Sequence, residues 1–151
     1  MTVFLTIFSG VLTFVLGQLV LKLVIDPIQE FKRTVSDVAF ALIEHASIYA
    51  NPGVADGETL KKVSSEFRKL SSKLNSQMYL IPFYGLVSGI FGLPSKTRVF
   101  ESSQKLIGLS NGVFGAVENL PTLVSVNLSR AYEIRCSLNI FIPSDQIMPD
   151  Q

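Results

Sequence analysis

The stretch Val3–Ile25, VFLTIFSGVLTFVLGQLVLKLVI, decides how this chain is built. Of its 23 residues 16 are Leu, Ile, Val or Phe, and no charged side chain occurs before Lys22. As an α-helix it rises roughly 34 Å at ~1.5 Å per residue, enough to cross a hydrocarbon core about 30 Å thick. Each large aliphatic contributes about 0.3 to 0.6 kcal/mol to insertion. Together they outweigh Gln18, and Lys22 lies close enough to the end to reach the headgroups. A cleaved signal peptide fits poorly, because Met1-Thr2 supplies no cation and the apolar run exceeds the usual length of about 7 to 15 residues. A buried core helix also fits poorly, because a chain of 151 residues has too little protein to cover a helix that is apolar all round. Residues 1–26 are therefore expected to form a transmembrane anchor.

Charge asymmetry sets the expected orientation. No cation precedes the run, whereas Lys22, Lys32 and Arg33 follow it closely, which places the N-terminus outside and the remainder of the chain in the cytoplasm. In that compartment the sequon Asn127-Leu128-Ser129 stays unmodified. One stripe of the anchor is made of small residues: Thr6, Gly10, Thr13 and Gly17 step by four, three and four positions, with Gln18 beside them. Small-xxx-small spacing lets helices approach closely in lipid, and a carboxamide can hydrogen-bond across such a contact, so the stripe points to a homo-oligomer or to another membrane protein as partner. The plainer reading is that Gly and Thr are merely tolerated there.

The whole chain is apolar for its size, 48% hydrophobic and 17% charged, in keeping with membrane contact. Thirteen Lys and Arg against twelve Asp and Glu leave a net charge of +1, too little to gather nucleic acid or acidic substrates by a broad field. A single cysteine, Cys136, excludes an intrachain disulfide.

Working outward from the anchor, Asp26-Pro27-Ile28-Gln29 reads as a helix start with Asp26 as N-cap. Ile28, Phe31, Val35, Val38, Ala39, Leu42, Ile43, Ala46 and Tyr49 then form one apolar face that runs to the turn Asn51-Pro52-Gly53. A further helix is expected after a cap at Asp56, with Leu60, Val63, Phe67, Leu70, Leu74 and Met78 on one side. Its other side carries Lys61, Lys62, Arg68, Lys69 and Lys73 against Glu58 and Glu66. This basic face suits anionic lipid, or else is simply solvated.

Met78–Leu93, MYLIPFYGLVSGIFGL, holds 16 residues without a charge between Lys73 and Lys96. Pro82, Gly85, Gly89 and Gly92 weaken it as a helix, and a rise of about 24 Å is short for a span. Three readings are open: a buried helical hairpin; an interfacial or re-entrant stretch with Tyr79, Phe83 and Tyr84 at headgroup level; or a short tilted second span. The span would carry Lys96, Arg98 and Lys105 across, against the charge rule.

Ser95 reads as the cap of a helix carrying Val99, Phe100, Leu106, Ile107, Leu109, Val113, Phe114 and Val117, in which Gly108, Gly112 and Gly115 suggest close helix packing. Pro121 opens a last helix with Leu123, Val124, Leu128, Ala131, Ile134 and Leu138 inward. The fold class expected is thus all-α: anchor 1–26, a helical cytoplasmic domain of about four helices over 27–142, and a frayed tail 143–151.

Chemistry is mostly missing. No phosphate-loop, dinucleotide, nucleophile-elbow or paired-histidine zinc motif occurs, so no catalytic residue, cofactor or metal is expected. His45 is the one histidine, expected in a surface or capping role, with its neighbour Glu44 pointing about 100° away on a helix. Cys136 is expected as an inert core thiol. Nucleic acid has only the Lys61–Lys73 face and no aromatic platform. The expectation that follows is a single-pass anchored interaction module, or small subunit of a membrane-associated complex, at the inner leaflet. The alternative is an oligomeric membrane-perturbing or pore-forming protein that uses 78–93 as a second membrane segment.

Overall fold

A computed structural model describes residues 1–115 and 120–142. The expected core residue Val117 and the tail from Pro143 onward lie outside them. The fold is all-α, with no strand among the described residues.

The chain begins as a long apolar rod, α1 (Thr2–Val20), in which no residue is buried. Where the sequence suggested a break and a fresh start at Asp26, the helix continues through a single π turn, Leu21–Ile25, straight into α2 (Asp26–Glu44). The cause is Pro27. It cannot donate a hydrogen bond to Leu23, and its ring crowds that carbonyl. The widened turn relieves the crowding, with the Asp26 N–H reaching back five residues to the Leu21 carbonyl. Asp26 therefore does not cap; its carboxylate takes a hydrogen bond from Lys22 Nζ at 3.1 Å.

The remaining helices are α3 (Ala46–Ala50), α4 (Gly57–Leu80), α5 (Tyr84–Phe91), α6 (Lys96–Gly112) and α7 (Leu120–Leu138). Asp56 and Ser95 cap α4 and α6 as the sequence implied, Asp56 accepting from the Glu58 and Thr59 N–H groups and Ser95 from that of Arg98. Contacts fix an up-and-down course. Along α2 and α3 on one side and α4 on the other, Asp37 meets Lys73, His45 meets Glu66 and Tyr49 meets Phe67, so α2 and α4 run antiparallel. Between α4 and α6, Arg68 reaches Asn111 and Ser71 donates to the Ser103 carbonyl. Between α6 and α7, Gly112 faces Asn127, Gly108 faces Arg130 and Lys105 pairs with Glu133. The bundle core comprises Phe31, Val38, Leu42, Tyr49, Val63, Phe67, Leu74, Val99, Leu106, Leu109 and Ile134, all essentially without solvent contact.

This course gives the bundle two unlike ends. At the proximal end, from which the apolar rod projects, α2 starts, α4 ends, α5 sits, α6 starts and α7 ends. At the distal end the Pro52-Gly53 turn meets the Phe114-Gly115 turn, with Gly53 N–H donating to Val113 O at 2.9 Å. Gly53 and Gly115 both take positive φ there, and a Cβ on either would press within 3.1 Å of the opposite backbone.

Of the expected core, Phe100, Phe114 and Ile43 are instead exposed. Phe100 and Ile43 lie off the buried sides of their helices, marked by Val99 and Leu106 in α6 and by Val38 and Leu42 in α2, and Phe114 stands in the turn after α6.

Candidate functional site

The rod places Thr6, Gly10, Thr13, Gly17 and Gln18 in the open. A Cβ built on Gly10 or Gly17 meets nothing within 4 Å. The two threonine hydroxyls are satisfied inside the helix, Thr6 by the Thr2 carbonyl at 3.0 Å and Thr13 by the Ser9 carbonyl at 2.9 Å, which is what a polar residue in an apolar medium needs. The stripe is thus smooth and self-satisfied. The helix Thr2–Glu44 that contains it is long and apolar enough at its N-terminal end to cross a membrane.

The basic residues of α4 are spread along most of its length. Lys61 and Lys62 stand near its start, at the distal end, about 28 Å along the helix from Leu80 at ~1.5 Å per residue. Arg68 is tied to the Asn111 carboxamide and Lys73 to Asp37 at 3.3 Å. The face is therefore not gathered at the end where the rod leaves, and two of its five cations already have partners within the bundle. The cations of the proximal end are different ones: Lys22, Lys32 and Arg33 on the long helix, Lys96 and Arg98 on α6, and Arg135 in the last turn of α7.

Met78–Leu93 folds as the last turn of α4, a tight turn at Ile81-Pro82-Phe83, and the eight residues of α5. It splits by side. Met78, Ile81, Tyr84, Val87 and Leu93 are buried; Tyr84 packs edge-on against Phe31 at 6.1 Å between ring centroids and donates its hydroxyl to the Pro94 carbonyl at 2.7 Å. Burial pushes the Tyr84 phenol up to about 12. Tyr84 is therefore a strut under the turn rather than a headgroup ligand. The other side leaves Tyr79, Leu80, Phe83, Leu86 and Ile90 largely exposed, with Gly85 and Gly89 between them. Phe83 has φ +48°, a left-handed conformation unfavourable for a bulky residue, and its ring is 87% exposed. Gly92 ends α5 at φ +65°, where glycine carries no such cost.

His45 takes the capping position expected of it, as C-cap of α2 and N-cap of α3, but it does not lie on the surface. The helix breaks at His45 between α2 and α3, the imidazole is buried, and its Nε2 lies 3.0 Å from Glu66 Oε2 with Phe67 edge-on at 5.8 Å. The break also undoes the divergence expected of Glu44 and His45. Donor atoms of Glu44, His45 and Glu66 all lie within 4.8 Å of one another, a set that could hold a divalent cation. Sequence spacing could not show this, because Glu66 comes from another helix. Cys136 is exposed on α7 and is not the core thiol expected.

Between α6 and α7, Gly108, Gly112, Leu123 and Arg130 line a shallow cleft of about 270 Å³, under the usual size of a small-molecule site. Asn127, part of the sequon, is buried, and its amide donates to the carbonyls of Tyr49 and Gly112 at 3.1 Å each. A glycan there would have to be added before α7 docks and would then keep it from docking. Comparison of the chain with protein-family models, with curated proteins and with solved structures found no match to any of them.

Proposed function

We propose that this chain is a non-enzymatic, single-pass membrane protein whose helical domain stands at the cytoplasmic surface as an interaction module, and that it self-associates through the Thr6–Gly17 stripe. The observation that carries this reading is the continuous helix Thr2–Glu44, wholly exposed and apolar over its first half and part of the bundle core over its second. A rod of this kind left in water exposes far more apolar surface than a soluble monomer tolerates, and lipid removes the cost. With Lys22, Lys32 and Arg33 at its exit, the charge rule keeps the bundle inside.

Self-association rests on the smooth Gly10 and Gly17 face, which admits a second helix at close range. The test is disulfide-independent chemical cross-linking of the full chain in native membranes. Gly10→Leu with Gly17→Leu lowers the dimer band while the protein still pellets with membranes after alkaline wash. An undiminished band rejects self-association through this stripe, and protein in the supernatant rejects the anchor.

A second reading, an oligomeric membrane-perturbing protein, draws on the exposed apolar side of residues 79–90. It requires that expression dissipate the membrane potential and that Gly89→Asp restore it; intact potential at high expression removes it.

A further inference from the structure

Among the described residues outside the rod, the large apolar side chains that are at least 65% exposed are Val54, Tyr79, Leu80, Phe83, Leu86, Ile90 and Phe141, with Phe40 at 62% and Tyr132 at 63% next. Only Val54 belongs to the distal end. The antiparallel pairing of α2 with α4 carries the other α4 and α5 residues to the level of Ile28 and Phe31, and the pairing of α6 with α7 returns the chain to the same level at Phe141. Six strongly exposed apolar side chains from two separate parts of the sequence thus converge on the end of the bundle from which the rod leaves. The outward side of α5, Gly85, Leu86, Gly89 and Ile90, carries no charge at all. Among the described residues six cations, Lys22, Lys32, Arg33, Lys96, Arg98 and Arg135, stand at this end against Asp26, Glu30 and Glu101, with Asp26 paired to Lys22 and Glu30 to Arg33.

From this convergence we infer that the turn and helix Tyr79–Ile90, with Phe141, form an apolar foot that inserts into the interfacial region of the same leaflet that receives the rod. The inference rests on the anchored reading above and names a lipid surface as the occupant of this face. Two features of this face select lipid. The face is continuous with the exit of a helix that itself fits a bilayer, and the cations around it match anionic headgroups. Its depth is limited. α5 has eight residues and rises about 12 Å at ~1.5 Å per residue, so it lies in the interface and does not cross. Phe83, the most exposed member of the turn, is its tip, and Tyr84 braces the turn from inside against Phe31. Two contacts with one leaflet fix the bundle's tilt as well as its position, which a single helix does not.

The test uses the full chain with Cys136→Ser, reconstituted into vesicles of phosphatidylcholine and phosphatidylserine, and a small fluorophore on one introduced cysteine at a time: Phe83→Cys, Leu86→Cys, Val54→Cys or Phe14→Cys. All four positions are exposed, so labelling does not disturb the core. A nitroxide high on the lipid acyl chain is expected to quench the Phe83 and Leu86 labels, and aqueous iodide to quench them at least about threefold less than the Val54 label, as a burial depth of about 5 to 10 Å implies. If the Phe14 label is quenched by lipid nitroxide while Phe83 and Leu86 are open to iodide, the anchor stands and the foot is refuted. If Phe83 and Leu86 are shielded from iodide but untouched by lipid nitroxide, protein covers the face, a second copy or a partner, and the inference is equally refuted. A Phe14 label that lipid nitroxide does not quench overturns the anchored reading and the foot with it.

Discussion

The Asn127 carboxamide occupies the space that a side chain at Gly112 would need: a Cβ built there would lie 2.1 Å from Asn127 Oδ1. In return Asn127 donates to the Gly112 and Tyr49 carbonyls at 3.1 Å each, so one amide joins α6, α7 and the end of α3. Gly112→Ala evicts that amide and should cost about 2 to 4 kcal/mol, and Asn127→Ala, which orphans two buried carbonyls, about 1 to 3 kcal/mol. The double variant should lose less than the sum, because the clash disappears with the amide. Thermal unfolding of the full chain in detergent, followed by circular dichroism, measures all three. Strict additivity would mean that the two residues do not share the space.

Asp56 provides an acid-dependent contribution. Hydrogen bonds from the Thr59 hydroxyl and from the backbone N–H groups of Thr59 and Glu58 hold its carboxyl below the ordinary 3.8. A lowered folded-state pKa means that its stabilisation is complete above the ordinary value and fades as the pH falls through the folded one. Asp56→Ala should therefore lower Tm at pH 7, with the difference from the parent shrinking below about pH 4. A difference that persists undiminished into strong acid would exclude the carboxylate as its source.

Tyr49 and Tyr84 give the alkaline counterpart. Burial raises both phenols to about 12, with Arg135 opposing the rise at Tyr49. A raised folded-state value keeps their stabilisation intact below the ordinary 10 and removes it as the pH climbs through about 12. Tyr84→Phe leaves the Pro94 carbonyl without its donor, for about 1 kcal/mol, whereas Tyr84→Ala also empties the space against Phe31, for about 3 to 5 kcal/mol. Absorbance at alkaline pH should show Tyr49 and Tyr84 ionising late and together with unfolding.

Cys136 supplies a native topology probe. It is the one thiol of the chain and it is exposed, so a membrane-impermeant maleimide should label it readily without denaturant. If the bundle faces the cytoplasm, intact cells protect it and inside-out vesicles expose it. Labelling of intact cells would reverse the orientation. The buried sequon at Asn127 is a poor substitute, since modification there competes with folding itself.

The sequence alone determined the elements whose cause is local. Twenty-three residues with one charge near the end can make only an apolar rod, and Asp56 and Ser95 announce their helices because a cap needs only the next three residues. Periodicity located Leu60, Val63, Phe67, Leu70, Leu74 and Met78 correctly, since a helix buries one side whatever packs on it. Only the tertiary structure decided the rest, because each remaining feature depends on what lies across a gap. Pro27 read as a start when a π turn upstream carried the helix through it, and His45, read as a surface or capping residue, caps its helices but is covered by Glu66 and Phe67 from α4. The uncharged run 78–93 gave no sign of which side chains would be covered. The antiparallel course of α2 and α4 made Tyr84 a strut against Phe31, left Phe83 in the open, and brought both to the end where the rod begins. Residues far apart in the chain are ordered by packing, and packing is set by the whole bundle rather than by any window of the sequence.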